Sequence, residues 1–277
     1  MIAPAALIGG LALAGGGFDL AQRHIAGLAV WLTVVLLLAF GAAARATLGR
    51  PFYWASGLIA GLALWSAISS LWSGSIELSV IEADRVLVYL GMFLAAFLVA
   101  QTDQRRQRFA EGIAISLVAI AFLALASRLL PHLFTGEPLG NGPRLRYPLG
   151  YWNADGIVFA MAAALILWLS RQALANWLRW AAVASLPAVL LALYLTFSRG
   201  GLLALAIACG CLIALSHDRL WLLATLAIGA IGALPGLIAV QAHDSLSNNV
   251  VSQATVDQGL QVFLLTILGA ALALALF

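Results

Sequence analysis

The sequence predicts an all-α protein, a polytopic transmembrane helix bundle of about ten spans with a cytoplasmic N-terminus. Three observations carry this expectation. Hydrophobic residues make up 64% of the 277 and charged residues 9%, at a mean hydropathy of +1.04; soluble domains run about 45–50% apolar and about 25% charged. The apolar residues form continuous runs, unlike the alternating segments of about ten residues that build a barrel. Charged and turn residues gather in short stretches between those runs.

A spanning helix needs about 20 residues, within a range of roughly 17–25. The expected spans are residues 2–18, 25–44, 52–72, 86–100, 113–130, 154–170, 180–197, 201–216, 220–240 and 259–277. The first has the length of a signal peptide but no basic leader, and a second span follows soon after, so it reads as a membrane helix. The fourth is short and extends back through 73–85, SGSIELSVIEADR. There Ile76, Val80, Ala83 and Leu87 recur at helical spacing, Glu77 and Asp84 lie on another face, and Ser73 or Ser75 can cap the start. This segment is expected to be an outer surface helix that runs on into the fourth span. Residues 180–216 are too long for one span. They divide at Ser198-Arg199-Gly200-Gly201, where the two glycines are expected to permit a tight turn. The whole chain, 1–277, reads as one transmembrane domain with an outer loop at 131–153 and an outer segment at 241–258.

Arginine placement sets the orientation. With the N-terminus inside, Arg45, Arg50, Arg105, Arg106, Arg108, Arg171, Arg179 and Arg219 fall inside. Arg23, Arg85, Arg128, Arg144, Arg146 and Arg199 fall outside. The triplet Arg105, Arg106 and Arg108 in one short loop weighs most. Acidic residues lean outward, with only Asp103, Glu111 and Asp218 inside. Tryptophans lie mostly near span ends, as interfacial anchors do. A basic isoelectric point in a soluble protein would point to nucleic acid. Here the arginines are scattered among spans, and no nucleic-acid partner is expected. Cys209 and Cys211 would point about 200° apart on a helix and read as packing residues.

Two polar stretches carry the candidate chemistry. The first is Arg144–Gly156, RLRYPLGYWNADG. Pro143, Pro148 and Gly150 force turns. Tyr151 and Trp152 suit an aromatic belt, and Asn153 or Asp155 is expected to cap the next helix. Free N–H groups at that helix start form a natural anion site. Arg144 and Arg146 stand beside it, and arginine suits bidentate phosphate contact. The plainer reading is a surface loop touching lipid headgroups. The second stretch is Ser198–Gly201. Arg199 lies at or just below the outer interface, where a charge is a functional candidate by default; the plainer reading is a snorkelling turn residue. Arg128 and His132 close the fifth span. If the fifth to eighth spans are neighbours, Arg128, Arg144, Arg146 and Arg199 converge on one outer pocket suited to pyrophosphate. His24, His132, His217 and His243 show no ligand spacing, so no metal is expected, and no nucleotide-binding or serine-nucleophile motif occurs. His243 reads as a solvated residue.

The run RLRYPLGYWNADG, followed by an apolar helix and then LTFSRGGLLAL, resembles the O-antigen ligase/polymerase superfamily of bacterial membrane glycosyltransferases. The segment SSLWSGSIELSVIEADRVLVYL is similar to the early outer helix and following span of that family. The resemblance extends from about Leu64 to Leu205 and more loosely to the end. It implies a multi-pass protein of the bacterial inner membrane. Such an enzyme transfers a glycan from an undecaprenyl-pyrophosphate carrier to a lipid or sugar acceptor at the outer face, without metal or nucleotide cofactor. Arg199, Arg144 and Arg146 would hold the pyrophosphate, and Asn153 matches a polar position at the head of the following helix. Family members carry a large late outer loop with an essential histidine. That loop is not recognisable here, so the expectation extends to a donor-binding half that lacks a C-terminal segment. His243 does not sit in that context, and no catalytic base is assigned. The alternatives are a transporter or flippase of a lipid-linked anion and an inactive fragment. Few carboxylates in the expected span interiors count against proton coupling.

Overall fold

The computed structural model describes residues 2–42, 48–134, 142–243, 246 and 253–277. Residues 43–47 at the end of the second expected span lie outside the described residues. So do 135–141 of the expected loop 131–153, and 244, 245 and 247–252 of the expected segment 241–258. Among the described residues there are no strands and ten α-helices: α1 Ile2–Leu13, α2 Leu20–Ala39, α3 Arg50–Ile68, α4 Ile76–Val99, α5 Asp103–Leu129, α6 Trp152–Gln172, α7 Asn176–Leu195, α8 Arg199–Leu215, α9 Arg219–Ala242 and α10 Gln253–Leu276. Each expected span overlaps one of them. Seven are long and apolar enough to cross a membrane, which makes this a multi-pass membrane protein. The other three differ for local reasons. α1 has 12 residues, α8 has 17, and α4 opens with Glu77, Glu82, Asp84 and Arg85.

The chain forms two compact units, residues 17–109 and residues 1–16 with 110–277. In the first, Asp19 caps α2 by accepting the Ala21 N–H at 2.8 Å. Ser75 caps α4 through the Leu78 N–H at 3.3 Å, so Ser75 rather than Ser73 starts the helix. The amphipathic segment and the fourth span are one continuous helix. α4 packs on both α2 and α3. Gly91 allows the approach to α2, since a Cβ there would lie 2.9 Å from Val30. Phe52 of α3 meets Phe97 and Phe93 of α4 at 4.3 and 6.0 Å between ring centroids.

The second unit is built around α7, which packs against α6, α9 and α10, while α8 lies on α6. Its core is apolar, with Phe159, Ile166, Leu186, Leu191 and Leu193 all but inaccessible. Bilayer tails are as apolar as leucine, so small residues that let backbones approach decide which helices touch. Gly232 of α9 lies directly on Gly269 of α10, Gly229 on Leu186 of α7, and Gly259 of α10 on the backbone of Leu129.

Hydrogen bonds and ring contacts sort the helix ends of this unit into two groups. At one end, Arg128 reaches Pro143 and Leu246, Leu145 pairs with Leu195, Asn153 with Ser198, and His243 with Gln261. At the other, Arg171 pairs with Asp218 at 3.0 Å, and Phe277 packs edge-on against Trp180 and Trp221. Glu111 belongs to this second end. The sequence places it with the loop residues, but it is buried in α5 and accepts the Leu174 N–H at 2.8 Å. Successive helices from α5 to α10 therefore alternate in direction. Arg128, Arg144, Arg146, Asn153 and Arg199 all lie at the first end.

Candidate functional site: two helix starts joined at one end of the bundle

The turn from α7 to α8 is three residues, Thr196-Phe197-Ser198. Thr196 Oγ1 donates to the Leu193 carbonyl at 2.6 Å and accepts the Ser198 N–H at 3.2 Å. Ser198 Oγ accepts the Gly201 N–H at 2.9 Å and so caps α8. The same hydroxyl donates to Asn153 Oδ1 at 2.8 Å, and Asn153 Nδ2 donates to the Tyr151 hydroxyl at 2.7 Å. The start of α8 is thereby tied to the start of α6.

The glycines act differently from expectation. Gly200 and Gly201 fall inside the first turn of α8, and the left-handed position goes to Phe197 at φ 49°. A left-handed non-glycine residue carries strain of order 1–3 kcal/mol. Gly201 instead allows contact between helices. A Cβ there would lie 2.9 Å from Gly156 Cα, and one at Gly156 would lie 2.8 Å from Ser198 Cβ. Without Cβ atoms the backbones meet, close enough for the Asn153–Ser198 bond to form.

The expected cap of α6 is also corrected. Tyr151 holds the N-cap position without a side-chain bond, and neither Asn153 nor Asp155 caps the helix. Asn153 is committed to Tyr151 and Ser198. Asp155 is buried, and the Leu149 backbone N–H approaches its carboxyl, short of a full hydrogen bond.

The loop before α6 is pinned from two sides. The Leu145 N–H donates to the Leu195 carbonyl at 2.8 Å, at the end of α7. Arg128, buried, donates through Nη2 to Pro143 O at 2.8 Å and through Nη1 to Leu246 O at 3.1 Å. These bonds place Arg144 and Arg146 on either side of a residue fixed to α7, and Arg199 four residues beyond that fixed point. The Arg144 guanidinium lies 4.6 Å from the centroid of the Trp152 ring. Arg144 and Arg199 are exposed and Arg146 is half-buried. Among the described residues none of the three makes an ion pair or donates a hydrogen bond. Two helix N-termini, each equivalent to roughly half a positive charge, stand among these three cations.

The arrangement is suited to a multiply charged anion. Arg128 contributes by fixing the loop, since two carbonyls hold its Nη atoms. Ser198, Tyr151, Gly156 and Gly201 lie in the two candidate stretches, but the sequence assigned none of them this joining role, and Phe197 lies outside both. Ser198 carried a usable signal, a serine immediately before an apolar helix. The left-handed Phe197 carried none. Compared with known protein families, characterised proteins and solved structures, the chain matches none.

Proposed function

We propose that the protein transfers a glycan from an undecaprenyl-pyrophosphate carrier to a lipid or sugar acceptor at the outer face of the bacterial inner membrane, or forms the donor-binding half of that activity. The resemblance of RLRYPLGYWNADG and LTFSRGG to the O-antigen ligase/polymerase superfamily names the chemistry. The observation that carries it is the grouping, at one end of the bundle, of three arginines without acidic partners among the described residues beside two joined helix starts. Arg199, Arg144 and Arg146 bind the pyrophosphate. Arg128 and Asn153 position them, through the loop at Pro143 and the cap at Ser198. As the sugar–phosphate bond breaks, negative charge builds on the departing pyrophosphate. Fixed guanidinium and backbone N–H donors stabilise that charge without reorganising.

The test is transfer of a labelled glycan from the polyprenyl-pyrophosphate donor by purified Arg199→Ala protein in lipid. Transfer should be abolished while expression and melting stay at the parental level. Full transfer by that variant would remove Arg199 from the mechanism.

Asp155 favours a second reading. A buried carboxyl without a cationic partner in a membrane helix is a feature of ion-coupled transport. Movement of the labelled lipid across proteoliposomes without glycan transfer would support a transporter or flippase instead.

A further inference from the structure

A second candidate site lies in the other unit, where α4 hands over to α5. A groove of about 450 Å³ opens there between Phe93 and Phe97 of α4 and Phe109 of α5, with Gln101 and Arg106 among its lining residues. That volume is within the range of about 300–1,000 Å³ typical of small-molecule sites. Its floor is aromatic, and Phe52 backs it by packing on Phe93 and Phe97. Its mouth is cationic. Arg105, Arg106 and Arg108 are exposed on the first turns of α5, against Asp103 as the acidic residue of that turn. Arg106 meets Asp103 at 3.3 Å, with both side chains largely exposed. A surface pair of this kind is weak and exchanges readily for a better anion. The amide of Gln101 is occupied by the Phe97 carbonyl, which leaves Arg106 as the lining side chain that can take a charge.

We propose that this groove binds an anionic phospholipid, with its phosphate on Arg106 and an acyl chain along Phe93, Phe97 and Phe109. Charge complementarity selects the headgroup, since Arg106 lines the groove at its mouth. The aromatic floor, at the end of two apolar helices, selects a lipid over a free anion. The site is independent of the arginine cluster at α6 and α8.

The experiment is native mass spectrometry of the full chain titrated with phosphatidylglycerol, phosphatidylcholine and, separately, inorganic phosphate. Phosphatidylglycerol should bind saturably and phosphatidylcholine weakly. Arg106→Gln should weaken phosphatidylglycerol about fivefold, the effect of roughly one interfacial cation. Arg105→Gln, exposed and outside the groove, should leave it unchanged. Ala96→Phe should close the groove and remove binding. Arg106 is a surface residue, so its variant remains informative if Ala96→Phe fails to fold. Equal weakening by Arg105→Gln and Arg106→Gln would overturn the proposal in favour of diffuse attraction. Equal affinity for phosphatidylcholine would overturn the headgroup role. Displacement of the lipid by millimolar phosphate would reduce the site to a free-anion site.

Discussion

Adjacent glycines at the start of α8 should respond to the same substitution in opposite directions. At Gly201, an alanine Cβ would lie 2.9 Å from Gly156 Cα and C and 3.0 Å from its carbonyl oxygen. Carbon atoms in ordinary contact sit about 3.5–4.0 Å apart, so α6 and α8 must separate by roughly 0.6 Å or more. The obstacle is backbone, which cannot rotate aside. Overpacking of this kind costs about 1–3 kcal/mol. Separation also stretches the 2.8 Å bond between Ser198 and Asn153, worth about 1 kcal/mol. Alanine returns up to about 1 kcal/mol in helix propensity, leaving a net loss of about 1–3 kcal/mol. At Gly200, the nearest atom to an added Cβ is Ser198 Oγ at 3.8 Å. Gly200→Ala should therefore be neutral or stabilising by up to about 1 kcal/mol. Thermal unfolding in detergent, followed through the intrinsic tryptophan signal, reads both. Donor-dependent glycan transfer should fall with Gly201→Ala and persist with Gly200→Ala. Equal effects at the two positions would refute the reasoning, because equal damage is what a turn-forming role for both glycines produces. A Gly201→Ala protein as stable as the parent would do the same.

Two further substitutions separate support from function. Arg128→Ala leaves the Pro143 and Leu246 carbonyls without the buried guanidinium that serves them. It should destabilise by about 1–3 kcal/mol, the cost of leaving buried acceptors without their donor, measured as a lower melting temperature with reduced transfer; an unchanged melting point would exclude the anchoring role. Asp155→Asn keeps the shape of a buried side chain that only the Leu149 backbone N–H approaches among the described residues. Replacing a carboxylate by an amide should leave stability unchanged or raise it by up to about 1 kcal/mol, while activity falls if the carboxylate is retained for function. Loss of stability in that variant would show that the carboxylate is satisfied in the native protein.

The helices were legible in the sequence. Ten apolar runs became ten helices, because run length and turn residues are local properties that a chain in lipid must obey. The sequence also singled out Arg144, Arg146 and Arg199, because charge is conspicuous in a chain that is 64% hydrophobic, and Asn153, because a polar residue at a helix start is conspicuous there too. Ser75 was legible as a cap for the same local reason.

Partnership between these residues comes from the packing of the helices. Arg128 looked like a fourth anion ligand, but it serves the carbonyls of Pro143 and Leu246, which lie 15 and 118 residues away in the chain. Asn153 looked like a cap for its own helix, but it bonds to Ser198, 45 residues on. Gly201 looked like a turn residue, but its missing Cβ makes room for Gly156 on another helix. The physical reason is common to all three. A side chain's type fixes what it can bond to, and in an apolar bundle the close approach of small residues decides which partner comes within reach.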